Sequence, residues 1–163
     1  MSTRVLIADP DESLLCSYRS ALSRTGFQVA TASNGLECVA ILRSFVPDVL
    51  VLELDMPWGG GVGVLAMMHD GDDLPQVPVI VLTGPRGLRN LDDVLLFAAL
   101  SAYHVKPLAP EQLARLIRRM LEDPVPSVPF EYWGSPAHRP TYPESQHTPK
   151  SPATAALASS AAG

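Results

Sequence analysis

Two cysteines and four histidines are all the thiol and imidazole metal ligands this chain of 163 residues has. Neither Cys16 and Cys38 nor His69, His104, His138 and His147 fall at metal-ligand spacing, which excludes a zinc-finger type of site. The cysteines read as small buried or half-buried helix residues of a reducing compartment. No apolar run approaches the length of a membrane span. The apolar run that precedes Asp9, Val5 to Ala8, has only four residues, too few for a secretory signal. A soluble, cytoplasmic protein with no membrane partner is expected. Positive charge is scarce: 12 basic residues face 17 acidic ones, a net charge of -5. That balance leaves no nucleic-acid footprint, so direct DNA or RNA binding is not expected. The run Gly59-Gly60-Gly61-Val62-Gly63 is followed by no Gly-Lys-Ser/Thr and reads as a turn, not a phosphate loop. No Ser/His/Asp or Cys/His arrangement has supporting context, so the chain reads as a non-enzyme.

What is present divides at about residue 123. Residues 123–163 hold eight of the sixteen prolines and end in a Ser/Ala-rich run. Such a segment buries too little apolar surface to offset its ordering entropy, and a disordered tail is expected there. Phe130-Glu131-Tyr132-Trp133 within it reads either as a stray aromatic cluster or as a short docking motif.

Residues 1–122 alternate strand and helix. Near-continuous Val/Ile/Leu runs at Val5–Ala8, Val49–Leu52 and Val79–Leu82 suit strands buried on both faces. Shorter strands are expected at Gln28–Ala32 and Ala102–Val105. Helices are expected over about 11–24, 35–44, 62–69 and 90–100, and from Pro110 onward. Asn34 is the expected cap of the second, and Leu113, Leu116, Ile117, Met120 and Leu121 form an apolar stripe on the last. Five strands and five helices in alternation imply a flavodoxin-like, doubly wound parallel sheet of order 2-1-3-4-5.

In such a sheet, ligands bind outside the carboxyl ends of the strands. Four strands close on Asp9, Glu53, Thr83 and Lys106, so two acids, a hydroxyl and an ammonium should meet in one pocket. A cation and a phosphoryl group would both suit that set. The stretches VLIADPD (Val5–Asp11), PDVLVLELDMP (Pro47–Pro57), VIVLTG (Val79–Gly84) and YHVKP (Tyr103–Pro107) resemble the response-regulator receiver domain of bacterial two-component phosphorelay signalling, the CheY-like family. The resemblance covers residues 1–122 and not the tail.

That resemblance implies an acid pair after the first strand that binds Mg²⁺, and an Asp after the third that accepts a phosphoryl group. It also implies that Thr83 and Lys106 contact the phosphoryl oxygens and that Tyr103 is the switch aromatic. Asp9 fills the first acid position, but Pro10 stands at the second and Glu53 at the acceptor position. Proline offers a metal no side-chain oxygen, and Asp11 and Glu12 should lie on the start of the first helix, pointing elsewhere. Asp9 and Asp11 make the pocket acidic, yet weak or absent Mg²⁺ binding is expected, and no other cofactor. Glu53 is one methylene longer than Asp, and phosphoryl transfer is mainly positioning.

The chain is therefore expected to be an atypical, phosphorylation-independent receiver lacking the phosphoacceptor Asp. Glu53 would pair with Lys106, in either an active-like or a relict site. It would dock another signalling protein (a histidine kinase, phosphotransfer protein or output regulator) through the surface around the 90–100 helix, the last strand and the last helix, with Tyr103, Arg115 and Arg118 as contacts. A monomer or weak dimer is expected. The alternatives are a working phospho-receiver that accepts phosphate from a histidine kinase at Glu53 or Asp55, and, for the Arg115/Arg118/Arg119 cluster, a merely solvated face.

Overall fold

The computed structural model describes residues 2–71, 73–90, 94 and 100–122. In chain order the elements are β1 (Arg4–Ala8), α1 (Glu12–Arg24), β2 (Gln28–Ala32), α2 (Gly35–Phe45), β3 (Val49–Leu52), α3 (Gly60–Asp70) and β4 (Val79–Thr83). A 3₁₀ turn follows at Gly87–Asn90, then β5 (Leu100–Val105) and α4 (Pro110–Glu122). All strands are parallel, in the order β2-β1-β3-β4-β5. Period-two alternation sends side chains to both faces of this sheet. Leu6, Ala8, Leu50, Leu52, Val79 and Val81 join the cluster that includes residues of α2 and α3. Val5, Ile7, Val49, Val51, Ile80 and Leu82 pack with α1 and α4 on the other face. With both faces covered, the buried stretches of the three central strands, Val5–Ala8, Val49–Leu52 and Val79–Leu82, carry no polar residue.

The helix starts follow from capping chemistry. Asp11 accepts the Leu14 N–H at 3.1 Å and caps α1. Asn34 accepts the Glu37 N–H at 2.9 Å, while the Glu37 carboxylate takes the Ser33 N–H at 2.7 Å and its hydroxyl at 2.8 Å. The stripe of α4 buries Leu113, Ala114, Ile117 and Met120, each large side chain worth about 1.5–3 kcal/mol against solvent.

Three expectations shift. α3 begins at Gly60 rather than near residue 62, because Gly61 rests directly on the end of β3: its N–H donates to the Leu54 carbonyl at 3.0 Å, and a Cβ there would overlap the Glu53 carbonyl oxygen. β5 starts at Leu100, paired with Val79, so the helix expected over 90–100 ends before that residue; residues 91–93 and 95–99 lie outside the described residues, and Val94 is helical and buried. Cys16 is exposed on α1, whereas Cys38 is buried and its thiol is pushed up to about 12, by burial first and then by the Glu37 charge. The tail expected over 123–163, with its aromatic cluster, lies outside the described residues.

Candidate functional site

Backbone pairing brings the strand ends together. The Glu53 N–H donates to the Ala8 carbonyl at 2.9 Å and the Lys106 N–H to the Thr83 carbonyl at 2.9 Å, so each polar residue leaves its strand beside its neighbour's. Among the described residues, Asp9, Glu53 and Thr83 are the buried polar ones, at 2 %, 5 % and 0 % exposure. Groups so deep must find partners, or their burial is costly.

Glu53 finds five. Its Oε1 accepts the N–H groups of Leu54 at 2.8 Å and Asp55 at 3.1 Å, and the Thr83 hydroxyl donates to the same oxygen. Its Oε2 accepts the Gly84 N–H at 3.1 Å and pairs with Lys106 Nζ at 2.7 Å. The extra methylene lets the side chain turn back over the loop that follows it and collect donors from β3, β4 and β5 at once. Burial alone would raise its pKa; hydrogen bonds from Lys106, Thr83 and Asp55 prevail and hold it below its ordinary value, so Glu53 is an anion.

Lys106 bridges two acids. Nζ lies 2.5 Å from Asp9 Oδ2 as well as 2.7 Å from Glu53 Oε2. Burial would lower its pKa, but hydrogen bonds to Asp9 and Glu53 raise it. The other Asp9 oxygen, Oδ1, accepts the Asp11 N–H at 2.9 Å. Asp11 thus meets the pocket through its backbone, while its carboxylate is exposed at the α1 cap. Asp55 likewise contributes its N–H, and its side chain faces solvent. Pro10 is exposed beside Asp9.

The donor set does not suit a Mg²⁺ ion. Such an ion wants near-octahedral oxygens at about 2.1 Å. Here both oxygens of Asp9 and both of Glu53 already accept hydrogen bonds, and Asp11 is committed to its helix. Among the described residues no group of three or more His, Cys, Asp or Glu is arranged to hold a metal.

Tyr103 is half-buried and packs against the core cluster that contains Val81. Arg115 is exposed. Arg118 is placed differently from expectation: its Nη2 donates to the Thr25 carbonyl at 2.8 Å and its guanidinium stands 5.2 Å over the Phe27 ring. Thr25 and Phe27 follow α1, so Arg118 serves the α1 edge of α4. Its spacing looked like Arg115's, but at about 100° per residue three steps move it to the flank of the helix.

Sequence reading missed several residues of this site. The N–H groups of Leu54, Asp55 and Gly84 carry no side-chain signal. Gly87 roofs the pocket: a Cβ there would overlap Thr83 Oγ1 and come within 2.9 Å of Glu53 Oε1. A glycine four residues beyond a strand-ending Thr was the available hint. Tyr18 supports the site from α1, its hydroxyl donating to the Leu108 carbonyl at 2.6 Å just past Lys106. Burial raises its pKa, with Lys106 lowering and Asp9 raising it, which sets the phenol within electrical reach of both. The Lys106–Pro107 peptide between them is cis.

Sheet order and polar strand ends together define a doubly wound receiver-type domain. Residues 5–118 match the family model described as the response regulator receiver domain, and the chain belongs to that family. It is 34% identical over 122 residues to the transcriptional regulatory protein PrrA of Mycobacterium tuberculosis, covering 74% of this chain and 50% of PrrA. It is 36% identical over 122 residues to the response regulator MprA of Mycobacterium ulcerans, covering 74% and 51%. The chain thus spans about half the length of these curated relatives. A crystal structure of a CheY-like receiver domain protein from Methanospirillum hungatei JF-1 shares the fold with a TM-score of 0.67 at 26% identity, over 75% of this chain and 95% of that one. No helix among the described residues is long and apolar enough to cross a membrane.

Proposed function

We propose that this receiver is a non-catalytic protein-interaction module whose state does not depend on phosphorylation. One observation carries the reading: the Glu53 carboxylate takes the Thr83 hydroxyl, the Lys106 ammonium and the N–H groups of Leu54, Asp55 and Gly84 together. Two N–H groups from one loop, one from another, a hydroxyl and an ammonium make an oxyanion site, and here the chain's own carboxylate fills it. Glu53 carries one negative charge where a phosphoryl group would carry about 1.5 to 2, so it engages the same donors with a weaker field. The result is one fixed arrangement of Thr83 and Lys106, with Tyr103 packed inward.

The partner is a signalling protein (a histidine kinase, phosphotransfer protein or output regulator) docked at the β5 edge. Tyr103 and Val105, which is 38% exposed, lie on β5, and Arg115 is exposed on α4. The name of PrrA attaches transcriptional regulation to a protein of which the match covers 50%; for this domain the contact proposed is with protein and not with nucleic acid. Function is placed in the cytoplasm.

Incubating the full chain with a small phosphodonor and Mg²⁺, followed by intact-mass measurement, tests the reading. No phosphoryl adduct is expected from the natural chain, and the Pro10→Asp, Glu53→Asp double variant is expected to gain one. An adduct on the natural chain would support the working phospho-receiver instead, and fragment masses would assign it to Glu53 or to the exposed Asp55.

A further inference from the structure

We propose that the β2 edge of the sheet is a self-association surface, on which a second copy of this chain adds its own β2 antiparallel and continues the sheet from one copy into the other. β2 ends the sheet and pairs with β1 alone. The Gln28 N–H donates to the Thr3 carbonyl at 2.8 Å, and the Ala32 carbonyl accepts the Asp9 N–H at 3.0 Å, so Gln28, Ala30 and Ala32 turn their backbone groups toward β1. Val29 and Thr31 turn theirs outward, and among the described residues no hydrogen bond takes those two N–H groups and two carbonyls. Edge strands are commonly blunted by a charge, a proline or a bulge. The strand QVATA carries neither a charge nor a proline, and its register against β1 runs unbroken from Gln28 to Ala32.

The flank of this edge is complementary to itself. A groove of about 270 Å³ lies beside β2, lined by Glu12, Cys16 and Arg19 of α1, Thr31 of β2 and Glu37 of α2. Glu12, Cys16 and Arg19 fall at i, i+4 and i+7, on one exposed face of α1. Glu12 and Arg19 stand about 10 Å apart along the helix, and neither side chain has a partner among the described residues. A twofold axis through Ala30, normal to the sheet, sets Val29 against Thr31 of the second copy, and all four outward groups are then bonded. The same axis runs the two α1 helices antiparallel on one face of the joined sheet, so Glu12 of each copy meets Arg19 of the other. Cys16, close to the midpoint of that pair, falls near the axis. A parallel addition would instead set Glu12 beside Glu12 and Arg19 beside Arg19. Charge complementarity thus selects a second copy, in this orientation, as the occupant.

β2 and β5 lie at opposite edges of the sheet, so this surface is separate from the docking face proposed above, and either can fail alone. The experiment is analytical ultracentrifugation of the full chain, of Glu12→Arg, of Arg19→Glu and of the variant carrying both changes. Both positions are exposed, so the variants keep the fold. With so short a strand paired, the interface is small, and half-dimerisation of the natural chain is expected at about 100 µM. Either single variant sets like charges together on both sides of the axis and is expected to dimerise at least about tenfold more weakly. The double variant exchanges the charges and is expected to recover the natural affinity, as is an equimolar mixture of the two single variants. A natural chain that stays monomeric to about 1 mM, single variants that dimerise as it does, or a double variant that does not recover overturns the proposal.

Cross-linking with a short bis-maleimide tests the position of the axis. Cys16 is exposed and Cys38 buried, and the chain has no other cysteine. Packed helices lie about 8–10 Å apart, so Cys16 should join Cys16 of the second copy. The reaction is expected to be at least about tenfold slower in Arg19→Glu than in the natural chain. Equal rates in the two chains overturn the proposal.

Discussion

Replacing Lys106 with Met should do more than cost stability; it should change how stability depends on pH. The substitution leaves Asp9, 2 % exposed, and Glu53, 5 % exposed, as two buried anions without their shared ammonium. Breaking a buried pair by removing one partner costs about 3–5 kcal/mol. Glu53 keeps the N–H groups of Leu54, Asp55 and Gly84 and the Thr83 hydroxyl, and Asp9 keeps the Asp11 N–H, so a loss of about 3 kcal/mol at neutral pH is expected. For a domain of this size that lowers the melting temperature by roughly 10–15 °C.

The sign with pH separates the pair from ordinary packing. In the natural chain Glu53 is held below its ordinary value of 4.5, so its contribution is present above that value and is lost as pH falls through the depressed folded pKa. Lys106 is held above its ordinary value of 10.5, so its contribution is present below that value and is lost as pH rises through the raised folded pKa. The pair therefore adds no slope between about pH 5 and about pH 8. In the variant Glu53 loses the ammonium that helped hold its carboxyl below the ordinary value, and a proton taken up there relieves its repulsion with Asp9. The gap between natural chain and variant should narrow on going from about pH 8 to about pH 5. Thermal melts by circular dichroism across that range, with urea unfolding at neutral pH, read both quantities. A loss under about 1 kcal/mol, or a gap that does not move with pH, would refute the pairing as the reason these acids are buried.

Other substitutions test the surroundings of the pair. Gly87→Ala places a Cβ against Thr83 Oγ1 and 2.9 Å from Glu53 Oε1, forcing the hydroxyl off the carboxylate; a loss of about 1–3 kcal/mol in urea unfolding is expected. Tyr18→Phe removes the hydroxyl that holds Leu108 and should cost about 1–2 kcal/mol, with faster hydrogen exchange at the amides of Lys106, Leu108 and Ala109. Arg118→Ala loses the Thr25 hydrogen bond and the contact with Phe27, for about 1 kcal/mol. Binding of a docked partner should be unchanged by Arg118→Ala and weakened by Arg115→Ala, measured side by side by calorimetry.

The strands were legible because burial on both faces writes itself as unbroken Val/Ile/Leu runs, and the cap of α2 because Asn34 precedes an apolar-periodic stretch. The order β2-β1-β3-β4-β5 followed from alternation and crossover handedness. Asp9, Glu53, Thr83 and Lys106 were legible as strand ends. Their convergence was legible too, but not its detail, because three of the five donors to Glu53 are backbone N–H groups that every residue but proline owns. Gly61 and Gly87 matter for what they lack, and a single sequence does not say which glycine has a neighbour too close for a Cβ. Arg118 misled because helical spacing gives a face, while only the packing of α4 on α1 says which face is already occupied. The 90–100 segment was misjudged at its end because Leu100 reads as well in a helix as in the strand that pairs it with Val79.

The central claim, that Glu53 already occupies the anion site, is tested most directly by offering that site a phosphoryl mimic. Trp58 is 72% exposed on the loop that follows Glu53, and in a Trp133→Phe chain it is the only tryptophan. Its fluorescence would be followed while Mg²⁺ and then beryllofluoride are added. A flat response is expected from this chain, and a saturable one once Pro10→Asp and Glu53→Asp are introduced. A saturable change with Glu53 in place would mean that the site is open, and would contradict the account.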